Sequence, residues 1–580
     1  MISVRSLLVL LPSLTVAVAA AVLAMRFTTL SLACVTFASS ALSAVVPRWQ
    51  HALSCHDLWN AAPAMLPDLE VYLAEDVAEG TTLPANSEWS TPAYNAAVPD
   101  LPAFCRFGAY IHTSNSSKVQ FEVWLPDVWS GRFAMVGNGG DAGGVPFSDM
   151  WAPLTKYNMV TVGTDTGHNG TAFDGTFAIR GPETQIDFGY RAVHLSTVYA
   201  KKILAAYYGK AQSYSYWLGC SSGGKQGLKE VQAFPHDYDG VIAGAAAQFW
   251  PYLNPYTYQV NAIVNAVDAP GHLNATQYAT IGEAVMGQCD ALDGVSDGVI
   301  TNPELCKPDL SSLLCSAAGA NKTSCLSQAQ VDTMYNIWGN WTARPDAGFP
   351  KGTFLFPGFA PGAESDPFFS VTGLPFPPGP DYLQYQVLNL TDPTKTFSGN
   401  ISETERLTKI AVETDPGQTN AGDPNIQEFL KRGKLLTYVG GADSLIPSKS
   451  TLRYRELVRT ALRYPKDLDQ SYRTFVVPGI GHCSGGRGTD SFGGPGQRQD
   501  VLGGQSQPLV YDKQHDMTLA MFDWVENGNA PDKIIAVKYQ NNNKTAGVAF
   551  SRPICPYPQF AKYMGGDSTK ASSFECAYDW

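Results

Sequence analysis

Three residues whose chemistry together can cleave an ester occur in the order Ser, Asp, His. Ser221 lies in Gly219-Cys220-Ser221-Ser222-Gly223-Gly224, a G-x-S-x-G run that follows a strand-like segment and opens a helical one. So tight a turn leaves no room for neighbouring side chains and lifts the hydroxyl above a sheet edge. A serine at neutral pH needs a base, and the base needs an orienting carboxylate. His482 follows the strand-like run 474–477, in the loop Pro478-Gly479-Ile480-Gly481-His482-Cys483. His515, the other histidine of the C-terminal third, falls in 513–527, which reads as an amphipathic terminal helix, and is assigned to its exposed face. Asp443 follows the strand-like run 435–439 through Gly440-Gly441-Ala442. Its competing role is N-cap of a helix near 449–462, a task Ser448 or Ser450 can also perform. The pattern predicts Ser221 as nucleophile, His482 as base and Asp443 as its orienter. The amide of Ser222 is predicted to face a developing oxyanion, with a second donor from Gly139 or Gly140 in the Gly-rich loop 137–144, whose plainer reading is a flexible turn.

The cysteines add to this pattern. Cys220 precedes the serine and Cys483 follows the histidine. A disulfide between them would hold their Cα atoms within about 6 Å and staple the two loops together. The alternatives are two unrelated thiols or a Cys220 nucleophile, for which no base is placed.

The elements that must position these residues alternate between strand and helix. Runs 121–125, 132–136, 158–162, 214–218 and 239–243 read as strands, and 191–208 and 225–234 as helices. That texture predicts an α/β class, with an α/β-hydrolase core. After about Gln248 the chain becomes richer in Pro, Asn and aromatic residues, and 374–380 is Pro-rich; regular texture returns near Glu428. Residues 246–415 are therefore expected to form an inserted lid domain, with 45–245 and 416–580 as the catalytic domain.

Composition narrows the class. The chain has 580 residues, a formal charge of −12, eleven cysteines and only 16% charged residues. Such a chain is globular. The acidic balance, without a Lys/Arg cluster, excludes a nucleic-acid or anionic-membrane partner. Residues 1–44 hold Arg5 and Arg26, no acid and two apolar stretches, and end Ala41-Leu42-Ser43-Ala44. They read as a secretory signal region, with Met25 as a possible start; the alternative is a membrane anchor on 6–23. Cys34 leaves with that segment, so ten cysteines remain, which suits disulfides in an oxidising compartment. Eight N-x-S/T sequons, at Asn115, Asn169, Asn274, Asn321, Asn340, Asn389, Asn400 and Asn543, point to a secreted glycoprotein.

The Cys-Ser, Asp and His-Cys order resembles the fungal tannase and feruloyl esterase family. The resemblance extends from about Cys55 to Trp580 and takes in Thr164-Asp165-Thr166-Gly167-His168, the run from Asp187 to His194, and Tyr238-Asp239-Gly240-Val241. It implies a secreted serine esterase acting on phenolic esters, with Ser221, His482 and Asp443 in the roles above and a Cys220–Cys483 bridge. It further implies the pairs Cys55–Cys105, Cys289–Cys306, Cys315–Cys325 and Cys555–Cys576. Two departures stand out. One N-terminal cysteine pair common in the family is missing, and Val439 stands where members often carry His. In the segment 289–299, three aspartates within eight residues suit Ca²⁺ by donor type, although composition alone reads as a polar turn. The resemblance implies a structural calcium site in the lid, with side chains of Asp290, Asp293 and Asp297 and carbonyls of Val295 and Val299 as ligands.

The expected substrate is a feruloyl or cinnamoyl ester of plant cell-wall polysaccharide. The alternative is a tannase cleaving galloyl esters. Some fungal tannases are cut at a basic site, and the only dibasic pairs here, Lys201-Lys202 and Lys431-Arg432, fall in core elements. Trp250, Tyr252, Tyr256, Trp338 and Trp341 could line a phenolic pocket or simply fill the core. A remote third reading is an inactive hydrolase fold serving as a binding glycoprotein.

Overall fold

The computed structural model describes residues 51–319, 321, 323–364, 376–497 and 507–578. The predicted signal region with Cys34, and Leu374 and Pro375 of the Pro-rich stretch, lie outside the described residues. All described residues belong to the compact unit Pro47–Trp580.

Nine strands form one sheet: β1 (Leu69–Val77), β2 (Phe104–His112), β3 (Lys118–Pro126), β4 (Arg132–Val136), β5 (Val160–Thr164), β6 (Tyr214–Cys220), β7 (Gly240–Gly244), β8 (Lys434–Gly440) and β9 (Tyr472–Val477). Their order is β1-β2-β3-β5-β4-β6-β7-β8-β9. Pairing is antiparallel from β1 through β3 to β5. It is parallel for every neighbouring pair from β5 to β9. Parallel neighbours need crossovers, and helices supply them. They include α1 (Phe147–Tyr157) between β4 and β5, α2 (Ala192–Tyr208) before β6 and α3 (Ser222–Ala233) after it. Because β5 lies on one side of β4 and β6 on the other, the winding reverses at β4. A ligand crevice is expected at the carboxyl ends of the strands there.

Both faces of the sheet are buried, as the strand alternation requires. On β3, Phe121, Val123 and Leu125 join one apolar cluster with Val160 and Val162, whereas Trp124 joins the other with Leu218, Ile242 and Leu436.

Between β7 and β8 the chain leaves the sheet for residues 245–433, and the predicted lid segment falls within this interval. It contains α4 (Trp250–Tyr258), α5 (Ala275–Cys289), α6 (Gln328–Trp338) and α7 (Ile401–Thr414). Reciprocal capping boxes start α5 (Asn274 with Gln277) and α6 (Ser327 with Gln330). Trp250, Tyr256 and Ile337 of this insertion belong to the same apolar cluster as Val241 of β7 and Leu435 of β8. The insertion is thus built onto the sheet by continuous packing. No helix among the described residues is long and apolar enough to cross a membrane.

Several boundaries shift, among them that of α3, expected at 225–234 and found at Ser222–Ala233. The strand placed at 158–162 runs Val160–Thr164, because Asn158 takes the left-handed conformation (φ 50°) that ends α1. The helix expected from 449 begins one residue earlier, as α8 (Ser448–Ala461), and neither Ser448 nor Ser450 caps it: Pro447 stands at its N-cap. The terminal helix, α9, is Met517–Asn527, started by the Asp516 side chain on the Leu519 amide at 3.0 Å. His515 therefore precedes the helix rather than lying on its face, and its Nδ1 meets Asp512 Oδ1 at 2.8 Å.

Candidate active site

The loops that follow β4, β6, β8 and β9 carry the predicted residues to one end of the sheet. Ser221 sits between β6 and α3 at φ 64° and ψ −124°, a conformation that costs on the order of 1–3 kcal/mol for a residue with a side chain. Packing holds it there. A Cβ on Gly219 would lie 2.4 Å from the Gly223 carbonyl, and one on Gly224 would lie 2.4 Å from the Gly244 carbonyl. The Ser221 amide donates to Gly244 O at 2.9 Å, which ties the turn to β7.

Asp443 is buried. Its Oδ1 accepts the amides of Leu445 at 2.9 Å and Ile446 at 2.8 Å, and its Oδ2 meets His482 Nδ1 at 2.9 Å. The carboxylate is acceptor-only, so Nδ1 carries the proton and Nε2 is left as the basic nitrogen. Cys220 and Cys483 are bonded, with Cα atoms 6.2 Å apart. Gly496 packs on that bridge: a Cβ there would lie 2.8 Å from Cys220 Cβ. The four other disulfides are Cys55–Cys105, Cys289–Cys306, Cys315–Cys325 and Cys555–Cys576.

Ser221, Ser222, His482, Gly139 and Gly140 all line one cavity of about 480 Å³. Its walls are largely apolar, with Trp151, Phe173, Trp250, Leu253 and Phe376 among them. Phe173, half exposed, meets Phe376 edge-on at 5.6 Å between ring centroids. Of the aromatic residues singled out in the insertion, Trp250 reaches the cavity. Tyr256 is instead buried against Trp341, Phe356 and Phe359.

The Gly-rich loop is more ordered than a flexible turn. Asn138 Nδ2 donates to Gly144 O at 3.0 Å and Thr164 O at 2.9 Å. The Gly139 amide donates to the Tyr94 hydroxyl at 2.9 Å, so of the two predicted donors it is the one already engaged in this structure. Gly140, at φ 54°, keeps an amide with no acceptor among the described residues. Ser222 is the first residue of α3, where an amide has no intrahelical acceptor. Tyr94 is a contributor that sequence reasoning missed; only its fold partner, not its neighbours in the chain, reveals it.

Beneath the cavity, Lys225 on α3 is fully buried with its amine 4.2 Å from the ring centroids of both Phe188 and Trp250. Burial pushes the amine down to about 7, against the opposing pull of Asp141. Burial likewise pushes the Asp141 carboxyl up to about 8.

The acidic segment after α5 forms a closed loop. Asp290 Oδ1 accepts the amides of Asp297, Gly298 and Val299. Asp293 accepts the Val295 amide and the Thr301 hydroxyl, and Asp297 accepts the Val299 amide and pairs with Arg552. Burial, with Asp297 and Asp290 nearby, raises the Asp293 carboxyl. Arg552 is the one cationic side chain within ion-pair distance of these three carboxylates among the described residues. Three carboxylates facing one arginine leave a net negative, oxygen-only donor set, which by donor type fits a hard dication.

A mixed sheet whose parallel strands deliver serine, aspartate and histidine loops to one end is the α/β-hydrolase fold. Residues 105–368 and 382–577 match the family model described as Tannase and feruloyl esterase. The chain belongs to that family and is a carboxylic ester hydrolase. It is 34% identical over 532 residues to a probable feruloyl esterase B-2 of Aspergillus terreus, covering 90% of this chain and 94% of that one. Feruloyl esterase B from Aspergillus oryzae superposes with a TM-score of 0.79 at 32% identity, covering 90% of this chain and 100% of that one. A tannin acyl hydrolase from Aspergillus niger shares the fold, with a TM-score of 0.63 at 21% identity over 88% of this chain and 90% of that one.

Proposed function

We propose that the protein is a secreted serine esterase that cleaves feruloyl and related cinnamoyl esters of plant cell-wall polysaccharide. The observation that carries this reading is the Asp443–His482 hydrogen bond, directed so that His482 Nε2 is basic, in a cavity shared with the strained Ser221. Ser221 Oγ attacks the ester carbonyl while His482 Nε2 takes its proton. Asp443, fixed by two backbone amides, stabilises the imidazolium. The amides of Ser222 and Gly140 receive the oxyanion. His482 returns the proton to the departing alcohol, and water then opens the acyl-enzyme with His482 as base again. The aromatic wall of Trp250, Phe173 and Phe376 suits a planar phenolic acyl group, and the names of the relatives favour ferulate over gallate.

The test is turnover of methyl ferulate and methyl gallate by the protein and its Ser221→Ala variant. Ferulate turnover that disappears in the variant is the expected result. Gallate turnover alone would make the enzyme a tannase with the same machinery. Hydrolysis of neither ester, nor of an activated ester, would overturn the catalytic reading in favour of a binding glycoprotein.

Secretion is supported by the apolar, acid-free N-terminal sequence and by five disulfides, which belong to an oxidising compartment. We further infer that the acidic loop holds Ca²⁺ through Asp290, Asp293 and Asp297 and the carbonyls of Val295 and Val299. When bound, the ion would neutralise the loop; hydrolysis draws nothing from it. Metal analysis of the purified protein, with melting before and after chelation, checks this. A metal-free protein whose melting ignores added Ca²⁺ would refute it.

A further inference from the structure

The Gly140 amide can serve an oxyanion only if its peptide plane is held in one orientation. The surrounding bonds show how that is done. The carbonyl of Gly139 accepts the Ala142 amide at 2.9 Å. In a trans peptide C=O and N–H point in opposite directions, so this bond turns the Gly140 N–H away from the loop interior. The next peptide is fixed at both ends: the Asp141 amide donates to Ala172 O at 3.0 Å, and the Gly140 carbonyl accepts the Ser222 hydroxyl at 2.7 Å. Gly140 cannot gain a side chain here, since a Cβ would lie 2.3 Å from Ala172 O.

Two side chains connect this loop to α3. Gln226 Oε1 accepts the Asn138 amide at 3.0 Å, at the root of the loop. The Ser222 hydroxyl reaches the peptide that adjoins the Gly140 amide. Ser222 is buried, with 1% of its surface exposed, and its hydroxyl bonds to the Gly140 carbonyl at 2.7 Å.

We propose that the Ser222 side chain is a positioning residue for transition-state stabilisation: its hydroxyl, bonded to the Gly140 carbonyl, fixes the Gly140–Asp141 peptide next to the Gly140 N–H, so that the amides of Ser222 and Gly140 form one rigid pair beside Ser221. One residue thereby contributes a backbone donor and orients the second. This rests on the serine-esterase reading. The hydroxyl bonds to the Gly140 carbonyl and so acts through the loop. Ground-state substrate binding does not use the oxyanion donors fully, whereas the tetrahedral intermediate does. Loss of the lock is therefore expected to lower kcat and to spare KM.

The experiment compares wild type, Ser221→Ala, Ser222→Ala and Ser222→Thr on methyl ferulate and on an activated ester, with melting temperatures in parallel. Removing one oxyanion donor outright typically costs about 10²–10³ in kcat, and a donor left present but unlocked is expected to cost about 10–100-fold. Ser222→Ala should show that loss at unchanged KM and melting temperature, and Ser222→Thr, which keeps the hydroxyl, should recover most of it. If Ser222→Thr fails to fold, the kcat and KM of Ser222→Ala decide alone. A Ser222→Ala enzyme within twofold of wild type in kcat overturns the proposal, as does a loss shared by KM and melting temperature. Turnover surviving in Ser221→Ala would instead overturn the underlying esterase reading.

Discussion

The Ser221 elbow and the acidic loop after α5 are both short turns beside a disulfide, and opposite means hold them. At the elbow, position is set by excluded volume: the atoms crowding Gly219 and Gly224 include the backbone carbonyls of Gly223 and Gly244, the second from a separate strand. At the acidic loop, a Cβ on Gly294 or Gly298 would meet nothing within 4 Å; those glycines serve φ values of 87° and 80°. Its carboxylates bond mainly to amides a few residues away. The cross-links differ in the same sense. Cys220–Cys483 spans 263 residues and joins the end of β6 to the loop after β9, whereas Cys289–Cys306 spans 17. The elbow therefore exists only when the sheet is assembled, whereas the loop's carboxylates bond chiefly within their own segment, with Arg552 as a distant partner and Val295 packed on Cys555 and Phe574, and an ion could complete it. Backbone displacement at the first should reach chemistry and global stability together, and loosening of the second should stay near the insertion and the C-terminal segment that Arg552 ties to it.

The largest break in that comparison is expected from Asp443→Asn. The variant keeps the shape and can still accept the Leu445 and Ile446 amides, but the charge that fixes the His482 tautomer is gone. By analogy with other triads, kcat should fall about 10⁴-fold with little change in melting temperature. Steady-state kinetics on methyl ferulate measures it. A loss below tenfold would show that His482 is oriented by something other than Asp443.

The insertion offers the next largest effect. Glu364 is buried, accepts Trp338 Nε1 at 2.6 Å and the Gly362 amide at 2.8 Å, and burial pushes its carboxyl up to about 7. The folded value lies above the unfolded one. Its stabilising contribution is therefore complete below about pH 4 and is lost as pH rises through about 7. The total change over that window is about 3 kcal/mol. Glu364→Gln should flatten this part of the pH dependence, so that at pH 8 the variant melts above wild type. Because the insertion shares an apolar cluster with β7 and β8, a single shifted transition is expected. Parallel pH profiles for the two proteins would contradict the assignment, and a shift confined to a minor early transition would mark the insertion as a separate folding unit.

What the sequence made legible follows the same divide. The parallel strands were readable because burial on both faces demands near-continuous apolar runs, as in Arg132–Val136, which matches its prediction to the residue. The Ser221, Asp443 and His482 loops were readable because each follows such a strand and two of them are flanked by cysteine. Local sequence does not separate Gly139 from Gly140, since what distinguishes their amides is the bond from Gly139 to the Tyr94 hydroxyl, 45 residues upstream. Nor could Trp250 be separated from Tyr256: both are aromatic residues on α4, and packing in the insertion decides which one meets the cavity. His515 was misplaced for a simpler reason: the Asp516 cap starts the helix four residues later than the apolar pattern suggested.

The finest test sets one alanine against another. At Gly224, an added Cβ would lie 2.4 Å from the Gly244 carbonyl and 2.8 Å from Ala246 Cα, so backbone must move, not a flexible side chain. Gly224→Ala is expected to lower stability by about 2 kcal/mol, in the range for overpacked sites. Because the shifted backbone carries Ser221, turnover should fall with it. Gly294→Ala meets no atom, and its cost is only that of holding an L-residue at φ 87°, about 1 kcal/mol. Turnover should be unchanged, and the loss should shrink at saturating Ca²⁺ if the ion completes the loop, because binding to the folded state alone adds stability by mass action. Chemical denaturation with and without Ca²⁺, alongside kcat, reads both variants. Should Gly294→Ala impair turnover as strongly as Gly224→Ala, the acidic loop would be coupled to the elbow, and the division between assembled and local support would fail where it is meant to be sharpest.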